Sequence, residues 1–377
     1  MNPIRLKAIV RKEFYHLIRD YRSLYLAFAI PLLLIILFGY ALSLDVDLIK
    51  TVVADYDKTP LSRELTEKLG ASTYFDIVAA IDSSKQVSDY LDTEKASVAV
   101  IVPPDFMKRI KAGREAQLQV IIDGSDPVFA GAVRGYVNAF VEAYNSRLLA
   151  SFLNRQGMAL IHPPVDGRVR VWFNEDLESR NFIIPGLIAI IIMIVGAMLT
   201  ALVIAREFEA GTMETIKSLP VSAGELLLGK AIPYFFITLA NVLIAMLLGQ
   251  VLFGITLKGS FWLMLAGTSL YLICALSLGL LISTAAKSQL MANQAAVMIT
   301  YLPSLLLSNF VFPIINMPAL LQYFTYLVPA RYYIDILAGV YLRSTGLSYL
   351  GHDMAVLGGM GTLMIVLNYI LLKKEGL

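Results

Sequence analysis

Charge is scarce in this sequence and missing altogether from its longest apolar runs. Only 16% of its 377 residues are Asp, Glu, Lys or Arg, and none falls inside six apolar stretches of membrane-spanning length. Chains that hold a charge at that depth use it as a proton relay or ion site, because burying it in lipid is expensive. An ion gradient therefore finds nothing in these runs to act on, and energy has to come from elsewhere. Cysteine is nearly absent too. Cys274 stands alone inside a run, which excludes an intrachain disulfide and any cysteine-rich metal site. The three histidines, His16, His162 and His352, are scattered without ligand spacing, and no Ser/His/Asp, Cys/His or paired-carboxylate arrangement marks a hydrolytic centre. With a net charge of only +2, and basic residues serving membrane topology, nucleic-acid binding has no support.

What is present is apolar. Hydrophobic residues make up 57% of the chain, and the mean hydropathy is +0.68, outside the range of soluble domains. Runs of about 20 apolar residues cover 24–44, 182–205, 231–257, 261–285, 293–312 and 354–372. Six spans place both termini on one side. Arg5, Lys7, Arg11, Lys12, Arg19 and Arg22 outnumber two acids in 1–23, so the positive-inside rule assigns that side to the cytoplasm, and Lys373 and Lys374 agree. Ala41-Leu42-Ser43 has the look of a signal-peptide cleavage site, but the preceding apolar core is too long, so 24–44 is expected to be a retained first span.

Between the first two spans, 45–180 holds most of the charged residues and reads as a water-exposed α/β domain outside the cytoplasm. Residues 51–54, 97–102 and 117–122 have strand character. Thr59-Pro60 opens a helix to about 69, and Pro103-Pro104-Asp105 suits another helix start. Asp126-Pro127 begins a long helix to about 155, with Val133, Val137, Phe140, Val141, Tyr144 and Leu148 at helical spacing. Asp123-Gly124-Ser125-Asp126 does not fit a calcium loop; a turn and helix cap explain it more simply. In 1–23, Leu6, Val10, Phe14, Leu17 and Tyr21 recur every three or four residues. A helix lying in the membrane interface and a plain basic flank both fit that pattern.

The stretch 206–220 is punctuated more sharply than any other. Gly211 permits a turn, Thr212 offers a cap for a new helix, Glu214 sits where the helix dipole favours an acid, and Pro220 ends it. Met213, Ile216 and Leu219 give that short helix an apolar face that suits a groove in a partner, whereas the mixed charges of Arg206, Glu207, Glu209, Glu214 and Lys217 argue against a membrane-surface helix. Ser222-Ala223-Gly224-Glu225 is a capping box leading into the third span. Gly224 to Ala231 nearly spells a nucleotide-binding loop, with Gly229-Lys230 in place. Ala231 lacks the magnesium-holding hydroxyl and no strand precedes the segment, so no ATP site is expected in this chain. Of the polar residues within the runs, Gln250, Asn293, Gln294 and Asn309 invite inspection, with helix–helix contacts as their simpler use. After the fifth run, 313–350 combines Pro313, Pro318 and Pro329 with Tyr323, Phe324, Tyr326, Tyr332 and Tyr333, and places Arg331 and Asp335 four apart. Short re-entrant helices around an exit path and an aromatic belt on an ordinary outer loop both fit.

Taken together, these residues resemble the permease subunits of ABC-2 type exporters, in particular bacterial multidrug-efflux permeases with a large extracytoplasmic domain after the first span. The matching residues are Phe38-Gly39-Tyr40 with Asp45, Asn181-Phe182-Ile183-Ile184-Pro185-Gly186, Ala205-Arg206-Glu207 with Glu209, Gly211-Thr212 and Glu214, Met317-Pro318, and Pro329-Ala330-Arg331-Tyr332-Tyr333. The resemblance implies a membrane α-helical fold with six transmembrane helices per protomer and the α/β domain inserted between the first two. It further implies a multi-pass protein of the bacterial inner membrane, without an ATP site of its own. ATP and magnesium would be bound by a separate ABC ATPase that docks on a coupling helix at 206–220. Arg206, Glu207, Glu209, Gly211, Thr212 and Glu214 would carry the coupling; Glu207 and Glu214, seven apart, would share one face only if the helix ran unbroken through Gly211. Asn309, Phe312, Arg331, Tyr332 and Asp335 would line the path or outer gate. Other implied partners are a second copy or sister permease, membrane lipids and a periplasmic adaptor docking on the outer domain. The expected cargo is a hydrophobic or amphipathic drug. Lipid-linked glycan or sodium export, and a membrane-anchored sensor, are the competing readings.

Overall fold

Asn2 starts the first helix by accepting a hydrogen bond from the Ile4 amide at 3.0 Å, and Pro3 stands at the first helical position, where an amide hydrogen would have no partner. The structure, a computed structural model, describes residues 2–41, 48–125, 127–155, 173 and 178–376. It divides the chain into two units, Met1–Ser43 with Val171–Leu377, and Leu44–Arg170. Leu42, Ser43, Asp45, Asp126, His162 and the end of the first apolar run lie outside the described residues. The first helix, α1 (Pro3–Arg19), turns at the non-helical Asp20 into α2 (Tyr21–Ala41), so the helix expected over 1–23 breaks before Tyr21.

The second unit runs β1 (Ile49–Asp55), α3 (Pro60–Gly70), β2 (Phe75–Ile81), α4 (Ser84–Asp92), β3 (Val98–Val102), α5 (Phe106–Lys111), β4 (Gln119–Ile122) and α6 (Pro127–Arg155). Its sheet has the order β2-β1-β3-β4, with β1 parallel to β2 and β3, and β4 antiparallel to β3. The two central strands are covered on both faces, which is why they are almost continuously apolar. Ile49, Val53, Val98 and Val100 pack with Leu69 of α3 and Val133 of α6, while Val52, Ala54 and Ala99 pack with Val87 of α4.

The first unit resumes with α7 (Arg180–Glu209), α8 (Thr212–Ser218), α9 (Ala223–Phe253), α10 (Phe261–Ala286), α11 (Gln289–Leu306), α12 (Ala319–Thr325), α13 (Pro329–Ala338) and α14 (Leu347–Lys374). Among the described residues, α7, α9, α10 and α14 are long and apolar enough to cross a membrane, and α2 holds a shorter apolar stretch, Phe28–Tyr40. α11 stops at Leu306, short of the expected 312, because Asn309 takes a left-handed backbone (φ 69°) and turns the chain. α7 is the axis of the unit. It is apolar on every side and buried along most of 183–205, the pattern of a helix enclosed by others. Thr200 Oγ1 donates to the Leu276 carbonyl at 3.0 Å, Tyr271 donates to the Ala189 carbonyl at 2.9 Å, and Ser283 Oγ accepts from the Ile204 and Ala205 amides at 2.9 and 2.8 Å. Small residues and interhelical hydrogen bonds of this kind hold helices together where lipid gives no hydrophobic drive.

Candidate functional site

The α7–α8 turn decides how the 206–220 residues are used. Gly211 has φ 70°, a left-handed conformation that costs a residue with a Cβ about 1–2 kcal/mol. The helix therefore breaks: Arg206, Glu207 and Glu209 close α7, and Glu214 belongs to α8. The turn expected at Gly211 is there, and the condition under which Glu207 and Glu214 would share a helical face, an unbroken helix through Gly211, is not met. Nor does Thr212 cap α8, since Gly211 holds the cap position. The Thr212 hydroxyl instead turns back to donate to the Glu207 carboxylate.

Glu207 is turned inward to a lysine that sequence reasoning set aside. Lys230, near the start of α9, is 2% exposed, and its Nζ donates to Glu13 Oε1 of α1 at 2.9 Å and Glu207 Oε1 at 2.8 Å. Lys12 adds a second cation 3.2 Å from Glu207. Two carboxylates and two ammonium groups thus balance at the meeting point of α1, α7 and α9, the condition under which buried charge is tolerable. Beside it, Gly229 lets α1 approach: a Cβ there would lie 2.5 Å from Ile9 Cγ2. The Gly-Lys pair that imitates a phosphate loop is in fact a helix–helix joint. One hint was legible, namely Glu13 as an acid in a segment otherwise dominated by bases.

Further ties surround α8. Arg5 donates to the Pro220 carbonyl, and the Asn2 amide donates to Glu225 Oε1 at 2.5 Å. The expected capping box forms, with the Ser222 amide donating to Glu225 at 3.0 Å and the Glu225 amide to the Ser222 hydroxyl at 3.4 Å. Arg206 lies 3.5 Å from the Asp20 carboxylate, and Glu209 accepts from the Gln289 amide and side chain at 2.8 and 2.6 Å, joining α7 to the start of α11. The apolar face of α8 finds its groove in its own chain. Met213 is 1% exposed, packed in a core with Leu17, Val203, Leu226 and Leu280, and Ile216 is half-buried against it. What α8 leaves outward is Thr212 at its start, Glu214, Thr215, Ser218 and the following Leu219, which is 51% exposed.

At the other end of the helices, 313–350 breaks into a 3₁₀ turn (Ile314–Asn316), α12, α13 and a π-helical turn (Gly339–Arg343). Asn309 closes the preceding turn by accepting from the Ile314 amide at 3.0 Å, and Phe312 is exposed. Arg331 does not pair with Asp335 among the described residues. It donates to the Thr325 hydroxyl and lies 4.1 Å over the Tyr326 ring, while Tyr332 donates to the Tyr326 carbonyl at 3.1 Å. Arg331 and Tyr332 thus fasten α13 to the end of α12, and Asp335 is half-buried on α13. Below them Tyr333 stacks on Tyr271, centroids 4.1 Å apart, and shares a 3.0 Å hydrogen bond with Thr268.

The profile of ABC-2 family transporter proteins matches residues 22–370. The chain belongs to the ABC-2 transporter family. It is 36% identical over 346 residues to the probable multidrug ABC transporter permease YbhS of Escherichia coli K12, covering 90% of each chain. It is 29% identical over 350 residues to the probable multidrug ABC transporter permease YbhR of the same strain, covering 93% of each. To the inner membrane transport permease YhhJ it is 22% identical over 333 residues, covering 88% of this chain and 86% of that one. In this ABC-2 chain, residues that carried the resemblance lie at helix contacts. Tyr40 meets Phe253 with ring centroids 5.0 Å apart, Phe182 meets Phe310 at 5.9 Å, and Pro329 opens α13.

Proposed function

We propose that the chain is the permease subunit of an ATP-driven exporter of hydrophobic or amphipathic drugs. In this reading α2, α7, α9, α10, α11 and α14 are six spans of an inner-membrane protein, with both termini and α8 in the cytoplasm and the Leu44–Arg170 unit outside. A separate ABC ATPase, binding ATP and magnesium, docks on α8, and two permeases, identical or sister chains, form the pathway. The cargo assignment is supported by the names of the two most similar relatives above and by apolar runs without charge. A periplasmic adaptor remains a proposed partner of the outer unit. Asn309, Phe312, Arg331, Tyr332 and Asp335 would form an outer gate; of these, Arg331 and Tyr332 tie α13 to the end of α12, and Asn309 closes the turn after α11.

The single observation that carries the reading is the clamping of α8. Its apolar side is anchored on α9 and α10, its neighbours are tied to α1 and α11, and a short polar edge is left facing outward. Force applied at Glu214 would be transmitted to α7 through the Gly211 turn and to α1 and α9 through the Glu207–Lys230–Glu13 joint. The roles of the six residues then divide: Glu214 and the exposed edge meet the ATPase, whereas Arg206, Glu207, Glu209, Gly211 and Thr212 hold the lever. The test is ATP hydrolysis and drug transport by the complex in lipid vesicles with Glu214→Ala. Glu214 is exposed and, among the described residues, pairs only with Lys217, at 3.2 Å, so expression should be unchanged. Drug-stimulated hydrolysis and transport should fall together; unchanged export would sink the assignment.

A further inference from the structure

The Leu44–Arg170 unit carries a groove that the export reading does not use. It is about 1140 Å³ in volume, slightly larger than the usual range of small-ligand sites, and runs between α6 on one wall and α5 with the chain into β4 on the other. Its floor is apolar and half-buried: Leu118 just before β4, Val120 of β4, and Val137, Phe140, Val141 and Leu148 from α6. Positions 134 to 148 of α6 extend about 21 Å at 1.5 Å per residue, so the groove is long and narrow. β4 is one of the two edge strands of the sheet, which leaves this side uncovered by a further strand.

The polar groups at the rim have one dominant sign. Arg109, Arg114 and Arg134 line the groove, against the single carboxylate of Glu115. All three arginines are exposed, and none makes an ion pair or side-chain hydrogen bond among the described residues. Tyr144, also in the wall, has its phenol pushed up to about 12, first by burial and then by Glu64, and contributes a neutral surface.

We infer that this groove binds an anionic amphiphile, its apolar body lying along α6 and its acidic head held by Arg109 and Arg114. An elongated apolar floor selects a chain-like body, and guanidinium groups are suited to carboxylate, sulfonate or phosphate heads. The inference stands apart from the proposed cargo, because the binding it describes needs neither ATPase nor transport.

The test uses the full chain in nanodiscs of zwitterionic phosphatidylcholine, titrated with the fluorescent fatty acid 11-(dansylamino)undecanoic acid and with its methyl ester, empty discs serving as the blank. The acid should bind saturably, and the ester about tenfold more weakly, the loss expected for one charge-assisted contact. Arg109→Gln with Arg114→Gln should weaken the acid at least as much and leave the ester unchanged. These side chains are exposed and, among the described residues, unpaired, so the double variant keeps its fold. Val141→Trp, which fills the floor, should abolish binding of both probes. No saturable binding above the blank, equal binding of acid and ester, or indifference to the arginine pair would each overturn the proposal.

Discussion

Replacing Lys230 by methionine tests the central joint most directly. Met keeps much of the volume but removes the cation, leaving Glu13 and Glu207, whose side chains are 6% and 12% exposed, facing each other with the exposed Lys12 and the Thr212 hydroxyl as the remaining partners among the described residues. Breaking a buried ion pair by deleting one partner costs about 3–5 kcal/mol, because the remaining charge is neither solvated nor paired. The cheapest relief is for α1 to lift away and let water reach Glu13. If the whole cost falls on that step, opening of α1 becomes more favourable by about two to four decades, at 1.36 kcal/mol per decade. Cys274 is fully buried, so an added thiol is a clean reporter. Leu17→Cys places one on the inner face of α1, at a position 6% exposed. Its maleimide-labelling rate should rise by up to that factor when Lys230→Met is added. It should fall back when Glu13→Gln and Glu207→Gln remove the stranded charges as well. A rise below about threefold would refute the reasoning and mean that apolar contacts alone hold α1 in place.

Gly229→Val should produce the same opening without touching any charge, since its branched side chain would collide with Ile9; labelling at Leu17→Cys reads it, and the Gln pair should not rescue it. Gly211→Val forces a β-branched residue to φ 70° and should destabilise the α7–α8 turn by at least about 1–2 kcal/mol, seen as a lower melting temperature and faster proteolysis at 206–220. Ser283→Ala removes the hydroxyl that accepts from the Ile204 and Ala205 amides, so thermal stability in detergent should drop by about 1–3 kcal/mol, whereas Ser218→Ala, on the exposed end of α8, should be near neutral.

Local features were legible in the sequence because their physics is local. The apolar runs are set by the thickness of a bilayer, the left-handed turn by a glycine, the stop at 220 by a proline, and the Ser222–Glu225 box by side chains three residues apart. The family itself followed from residues read in order. Spacing left open whether Glu207 and Glu214 share a face, and one residue in a left-handed conformation resets the helical phase between them; it misread the apolar face of α8 as turned to a partner, because a partner groove and an intrachain groove demand the same stripe.

Only the tertiary structure decided where the charges go. Lys230 and Glu13 are 217 positions apart, Thr200 and Leu276 are 76 apart, and no periodicity connects such pairs. The sequence determined that Lys230 stands at the edge of an apolar run, where an unpaired charge would be costly. Which acids would meet it depended on α1 folding back across α9, with Gly229 as the point of closest approach. By the same logic, the composition of 45–180 determined an α/β unit with charged surfaces, but the groove between α5, β4 and α6 exists only because β4 pairs antiparallel at the edge of the sheet, bringing residues from three elements along one line.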